Sequence, residues 1–370
     1  MINVQRLQDT FLQYVQIDSE SGQEQAMCEA VVNDLTVLGY KVIKYPPLPG
    51  HPSTGYSFSV LAEGDASRPG LVLAAHVDTV VPGKGVQPKL FPDGYIRSNG
   101  DTVLGSDDKS GVAALVELLR ALKETGVNHC PVQIFFTIQE EIGTVGARSL
   151  PQEALLFKQG VVLDSSGDIG RVVTSSPGRV QINATVIGRA AHAGNAPEKG
   201  VSAIRVMAKA IDKMHLQRID QETTANVGTF FAEGAPNIVS AKASIVAEIR
   251  SRNVDKLEKE KKYMRQCLEE TCAEMGAQLV YEISEESVGY VIPEDAPVLQ
   301  RLAKACEKTG VKFFTAASGG GSDANIFNTK GMTAVNISTG MDKVHTTQEQ
   351  ISLKNLENCG KLLWHLVVEA

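Results

Sequence analysis

Several things are missing from this chain, and each absence excludes a class of protein. No apolar run approaches the roughly 18 residues that a bilayer-spanning helix requires. The N-terminus, Met1-Ile2-Asn3-Val4-Gln5-Arg6, leads into an amphipathic stretch instead of an apolar signal core, so a cytoplasmic protein is expected. The six cysteines (28, 130, 267, 272, 306 and 359) are scattered without a CxxC pair. That spacing argues against a disulfide framework and for reduced thiols. An excess of basic residues is absent too: the net charge is -7, which argues against a nucleic-acid partner. The run Gly319-Gly320-Gly321-Ser322 lacks the Gly-Lys-Ser/Thr ending of a phosphate-binding loop, and no GxGxxG follows a strand pattern.

What is present is an ordinary globular composition, 43% hydrophobic and 21% charged, over 370 residues, enough for two domains. Leu7, Phe11, Leu12 and Val15 repeat at helical spacing, as do Met27, Val31, Val32, Leu35 and Leu38. Apolar runs at 70–75, 132–138 and 160–163, with a helical pattern over 110–123, predict an α/β domain with a mainly parallel sheet flanked by helices. The rhythm changes near Ser175-Ser176-Pro177-Gly178. From there the pattern reads strand 180–187, helix 201–215, strands 224–231 and 242–250, helix 254–275 and strand 278–283. That order, βαββαβ, is a complete small ferredoxin-like domain. Alternation resumes with helix 296–308, an apolar run at 332–337 and helix 353–368. The expected organisation is one domain made of 1–178 and 291–370, with 179–290 inserted.

Acidic and histidine residues fall where the apolar runs end. Leu71–Ala75 leads to His76-Val77-Asp78, Val132–Ile138 to Gln139-Glu140-Glu141, and Val161–Leu163 to Asp164. Asp107 and Asp108 immediately precede the long helix. Ligands of an open α/β sheet bind beyond the carboxyl ends of its strands, so these residues are expected to converge. One His with several carboxylates, and His345 as a second, suits Zn²⁺, Co²⁺ or Mn²⁺ better than an all-oxygen Ca²⁺ site. A carboxylate in such a set can bridge two metals. His76 and Asp78 share a strand face, which lets Asp78 fix the imidazole tautomer. Glu140 and Glu141 would point apart on a regular strand, so one can bind metal while the other acts as general base. Taken singly, each residue has an ordinary reading: a structural histidine at 76, a solvated acidic pair at 140–141, exposed loop histidines at 192 and 345. Their joint placement at strand ends is what points to a metal.

The segments AHVDTV (75–80), GSDDKSG (105–111), TIQEEIGTVGA (137–147), VLDSSG (162–167), AAHAG (190–194), GGGSDANIF (319–327) and TGMDKVHT (339–346) resemble the M20 metallopeptidases, most closely the peptidase T-like branch of tripeptide aminopeptidases. The resemblance implies a zinc-exopeptidase-like fold with two Zn²⁺, for which Co²⁺ or Mn²⁺ substitute. It implies that His76, Asp107 and Asp164 hold one metal and Asp107, Glu141 and His345 the other. Glu140 becomes the general base and Asp78 the residue orienting His76. His192 would stabilise the oxyanion, often from the partner subunit of a homodimer, while Asn237, Arg250 and Gly320 in the glycine loop meet the substrate's carboxylate end. The inserted domain would serve as lid and dimerisation surface, and a small peptide is the expected substrate, with neither nucleic acid nor membrane as partner. A carboxypeptidase or N-acyl-amino-acid deacylase would use the same chemistry, and a non-catalytic metal- or peptide-binding module is the alternative of another class.

Overall fold

A computed structural model describes residues 1–369, which divide into two compact units. Of the described residues, the first comprises 1–174, 292–317 and 322–369; the second comprises 175–291 and 318–321. None of the helices described is long and apolar enough to cross a membrane.

The first unit is built on a sheet whose four central strands run in the order Val132–Thr137, Leu71–His76, Gln159–Ser165, Thr333–Ser338 and are all parallel. The first two are buried along their whole length, which is why the sequence shows them as unbroken apolar runs. The parallel character stops there. Ser57–Ala62 pairs antiparallel with Val132–Thr137 on one flank, and Arg171–Ser176 pairs antiparallel with Thr333–Ser338 on the other. Phe58 stacks on Phe136 across the first flank, with ring centroids 5.0 Å apart.

The central helix, Ser106–Thr125, lies against the strands Leu71–His76 and Gln159–Ser165, and its apolar residues from Val112 to Leu119 are fully buried. It begins irregularly, since Asp107 and Asp108 have non-helical dihedrals and the peptide between them is cis. The helices Val4–Val15 and Leu353–Val368 cover it and pack on each other. Arg6 on the first makes two hydrogen bonds to Glu117, a carboxylate with no exposure. A small second sheet, absent from the sequence-based expectation, joins Met341–Asp342, Gln350–Ser352, Tyr95–Arg97 and Lys89–Leu90. Its hairpin encloses the loop 343–349.

The second unit is a five-stranded antiparallel sheet in the order Gln217–Arg218, Thr223–Phe231, Lys242–Ser251, Gly178–Ile187, Gln278–Ser287. Gly178–Ile187 alternates buried and half-buried residues, so Val180, Ile182, Ala184 and Val186 form a core with Val206 and Met207 of the helix Ala203–Lys213 and Met264 and Leu268 of Val254–Met275. Apart from the two-residue strand Gln217–Arg218, the chain order is strand–helix–strand–strand–helix–strand. Val254–Met275 is bounded as its sequence requires: Asn253 accepts a hydrogen bond from the Lys256 amide, and Gly276 takes a left-handed conformation (φ 73°) after the last turn.

Candidate metal centre

Parallel strands end together, and here their ends carry polar groups. His76 closes Leu71–His76 in register with Thr137, and Asp164 lies in the last turn of pleat of Gln159–Ser165. Glu140 and Glu141 follow Val132–Thr137, though not as strand residues with alternate faces. Gln139 adopts φ 52°, and the amides of Gly143 and Thr144 donate to the Glu140 carbonyl at 3.0 and 2.7 Å, so the acid pair sits in a turn. Its direction is set by Asp78, which is fully buried and accepts from the Glu140 amide at 2.9 Å, the Glu141 amide at 3.3 Å and the Ser21 hydroxyl at 2.7 Å. Left-handed backbone at Gln139, Thr144 (φ 54°) and His345 (φ 61°) costs on the order of 1 kcal/mol or more each and persists where surrounding structure imposes it.

Around this frame the side chains converge. His76 Nε2 lies 3.1 Å from Asp107 Oδ1 and 3.8 Å from Asp164 Oδ1, while its Nδ1 is 3.0 Å from the Asp78 carbonyl oxygen and 3.4 Å from Asp78 Oδ1. His345 Nε2 is 2.9 Å from Glu141 Oε2 and 3.3 Å from Asp107 Oδ2. Each oxygen of Asp107 therefore faces a different imidazole. Among the described residues, two sets offer donor atoms all within 4.8 Å of one another: His76, Glu140 and Asp164, and His76, Asp107 and Glu141.

The electrostatics are those of a carboxylate cluster in a buried place. Burial, then the neighbouring charge of Asp164, pushes the Glu140 carboxyl well above its usual range. Burial likewise drives Asp164 up to about 8. Asp107 goes the other way: burial opposes its ionisation, but hydrogen bonds with His345 and His76 outweigh it. His345, bonded to Asp107 and Glu141, is pushed up to about 10. Burial disfavours the charged form of His76, yet its carboxylate neighbours still raise it. A cluster that holds protons this tightly is short of positive charge. Two imidazoles and four carboxylates within coordinating reach, with both oxygens of one carboxylate turned to opposite sides, fit a pair of Zn²⁺-type cations by donor chemistry. Such a set could polarise a carbonyl and activate a water between the two positions.

The remaining expected site residues all lie in the second unit. They form two pairs. The Ala193 amide, next to His192, donates to the Asn237 carbonyl at 2.9 Å, and Arg250 Nη1 donates to the Gly319 carbonyl at 3.1 Å. His192 Nδ1 accepts from the amides of Gly194 and Asn195, both at 3.1 Å, which fixes the ring proton on Nε2. Arg250 is also bound by both oxygens of Glu248, at 2.9 and 3.2 Å. Gly320 donates its amide to the Ser318 hydroxyl at 3.0 Å.

Three acids had no role in the sequence reading, although Asp108 was placed beside Asp107 there. Asp108, unexposed, accepts from the His76 amide at 3.2 Å, and Asp323 accepts from the Thr137 hydroxyl at 2.5 Å. Glu349 accepts from three groups at the start of the central helix. Asp108 and Asp323 stood inside the quoted motifs GSDDKSG and GGGSDANIF; for Glu349 the sequence carries no signal.

The profile of Peptidase family M20/M25/M40 matches residues 72–369. The chain is 36% identical to a tripeptidase from Staphylococcus aureus, whose crystal structure superposes with a TM-score of 0.96 over 99% of this chain and 98% of that one. It is 38% identical to the aminopeptidase PepT from Bacillus cereus, with a TM-score of 0.92 over 100% and 99% of the two chains. YqjE of Bacillus subtilis is 36% identical over 372 residues, covering all of both chains.

Proposed function

The chain belongs to peptidase family M20/M25/M40, and from that premise we propose that it is a two-zinc aminopeptidase that removes the N-terminal residue of a tripeptide-like substrate. One observation carries the two-metal part: Asp107 presents Oδ1 to His76 and Oδ2 to His345, as a bridging carboxylate must. The aminopeptidase part rests on the S. aureus tripeptidase and the B. cereus PepT, similar over nearly their whole length.

His76, Asp107 and Asp164 are the proposed ligands of one ion and Asp107, Glu141 and His345 of the other. Zn²⁺, or Co²⁺ or Mn²⁺ in its place, supplies Lewis-acid polarisation of the scissile carbonyl and a more acidic attacking water. Glu140 takes that water's proton on its carboxylate and hands it to the leaving amine nitrogen. Its raised proton affinity, set by burial and by Asp164, suits a group that must hold a proton between the two events. Asp78 holds the backbone of the acid pair and the His76 ring in one arrangement.

In the second unit, His192 is proposed as the oxyanion donor, supplied by the partner subunit of a homodimer. The Nε2–H tautomer, enforced by two backbone amides, supports that role. Arg250, Asn237 and Gly320 are proposed to receive the substrate's carboxylate end; a Cβ at Gly320 would meet nothing within 4 Å, which leaves room for a ligand. Dimerisation through this unit is supported by its exposed Phe231, Val246 and Val280. Six free cysteines, all buried, support a reducing, cytoplasmic setting.

The test is amine release from a free tripeptide and from its N-acetylated twin, after metal stripping and return of Zn²⁺ or Co²⁺. Cleavage of the free peptide alone is expected. Preference for the acetylated twin would replace the proposal with a deacylase or carboxypeptidase, and no cleavage of either with two metals bound would leave a binding module.

A further inference from the structure

Glu349 is 1% exposed, and its carboxylate bonds nothing in its own loop. It crosses to the central helix 242 to 244 positions away, where Oε2 accepts from the Gly105 amide at 2.8 Å and Oε1 accepts from the Ser106 hydroxyl at 2.6 Å and the Asp107 amide at 2.9 Å. Gly105, at the N-cap position with φ 74°, has no side chain to satisfy the first-turn amides. Those amides would be orphaned at the positive end of the helix, and an anion from elsewhere in the chain meets both needs. On the other side, the Glu349 amide donates to the Thr346 carbonyl at 3.0 Å, closing the turn that directly follows His345. One side chain therefore joins the backbone of Asp107 to the loop of His345.

We propose that Glu349 is a positioning residue for the second metal: it locks the Asp107 turn and the His345 loop into a single piece, so that Asp107, Glu141 and His345 stand at coordinating separation before a cation arrives. The inference rests on the two-metal reading above. A loop of seven residues, 343–349, with left-handed backbone at Lys343 and His345, would not by itself hold an imidazole 3.3 Å from Asp107 Oδ2. The other proposed ion shares Asp107 but takes its remaining ligands, His76 and Asp164, from buried parallel strands that do not depend on this loop, so it leans on Glu349 less. The carboxylate is specifically required. A glutamine has one accepting oxygen, and its amide group would face either the Gly105 amide or the Ser106–Asp107 donors.

The test is titration of metal-stripped protein with Co²⁺, followed by calorimetry and visible absorption, on wild type, Glu349→Gln and His345→Ala. Wild type is expected to bind two equivalents, one of which is missing in His345→Ala. In Glu349→Gln that same equivalent should weaken about 10- to 100-fold, the range typical of groups that orient metal ligands, while the other, which shares only Asp107 with it, weakens less. Equal affinities in Glu349→Gln and wild type would overturn the proposal. So would an equal loss at both equivalents with a lower melting temperature of the stripped protein, the signature of a helix cap alone. Fewer than two equivalents in wild type would overturn the two-metal reading, and this proposal with it. Should Glu349→Gln not fold, Ser106→Ala deletes one of the three bonds; a smaller loss confined to the same equivalent is expected, and no loss overturns the proposal.

Discussion

Stripping the metals should make this protein's stability fall as the pH rises from 6 to 8. Asp164 has a folded pKa of about 8, raised by burial, against about 3.9 in an unfolded chain. Across that window the folded state keeps a proton which the unfolded state has released, so stability decreases with pH. Each pH unit well below the folded pKa is worth about 1.4 kcal/mol, and the slope halves at pH 8, giving about 2 kcal/mol over the two units. Glu140 and Asp108 are raised by burial too and act in the same direction. His345, raised to about 10 by Asp107 and Glu141, contributes stability present below its unfolded value and lost as the pH climbs; its half-exposed ring is screened, so it sets direction more than size. Asp107, held low, loses its contribution only below about pH 4, outside the window. At about 2–4 °C per kcal/mol for a domain of 150–250 residues, the melting temperature should drop about 4–8 °C. Bound cations replace the missing positive charge, so the reloaded protein should change far less. Circular dichroism melts of chelator-treated and Zn²⁺-reloaded protein at pH 6 and 8, at fixed ionic strength, provide the measurement. A stripped protein whose melting point stays level or rises would refute the reasoning.

Other outcomes follow from single contacts. Glu140→Gln should retain both metals by elemental analysis while kcat falls about 10²- to 10⁴-fold; activity within tenfold of wild type would remove Glu140 as the base. Gly111→Ala places a Cβ 2.5 Å from Asp108 Oδ1 and 3.0 Å from Leu163 Cβ. It should cost about 1–3 kcal/mol, and an unchanged melting temperature would show that Asp108 yields easily. Arg6→Ala leaves Glu117 buried without its guanidinium and should lower urea-measured stability by about 2–4 kcal/mol, whereas a loss under about 0.5 kcal/mol would mean that the Asn3 amide suffices as partner.

How much of this was legible depended on where the information lies along the chain. His76, Asp164 and the acid pair could be found because each ends a run whose burial on both faces leaves a continuous apolar trace. The helices 254–275 and 353–368 were readable to their ends, since Asn253, Gly276 and Ser352 are local capping signals. The antiparallel flanks and the small sheet were not. Met341–Asp342 and Lys89–Leu90 are two residues long and have no period to detect, and the direction of a flanking strand is decided by its partner. The reading of Glu140 and Glu141 as opposite strand faces failed for a related reason: nothing in Gln139 announces a left-handed residue, and the turn it starts is imposed by Asp78 from another strand end.

The same distinction separates the parts of the site. Residues that would supply chemistry are carried by strand and helix ends, where local pattern gives both position and direction. The groups that hold them in place, Asp78 on the acid pair, Asp108 on the His76 amide and Glu349 on the Asp107 turn, act through hydrogen bonds spanning 32 to 244 positions. Buried amides must find acceptors, and an acceptor can come from anywhere in the chain. Sequence pattern therefore locates a metal centre sooner than it explains its rigidity. His345 is the residue on which the two meet: it sits in the loop between two short strands, and a bond from Glu349, four residues further along, to the Asp107 amide ties that loop to the turn whose carboxylate lies 3.3 Å from the imidazole.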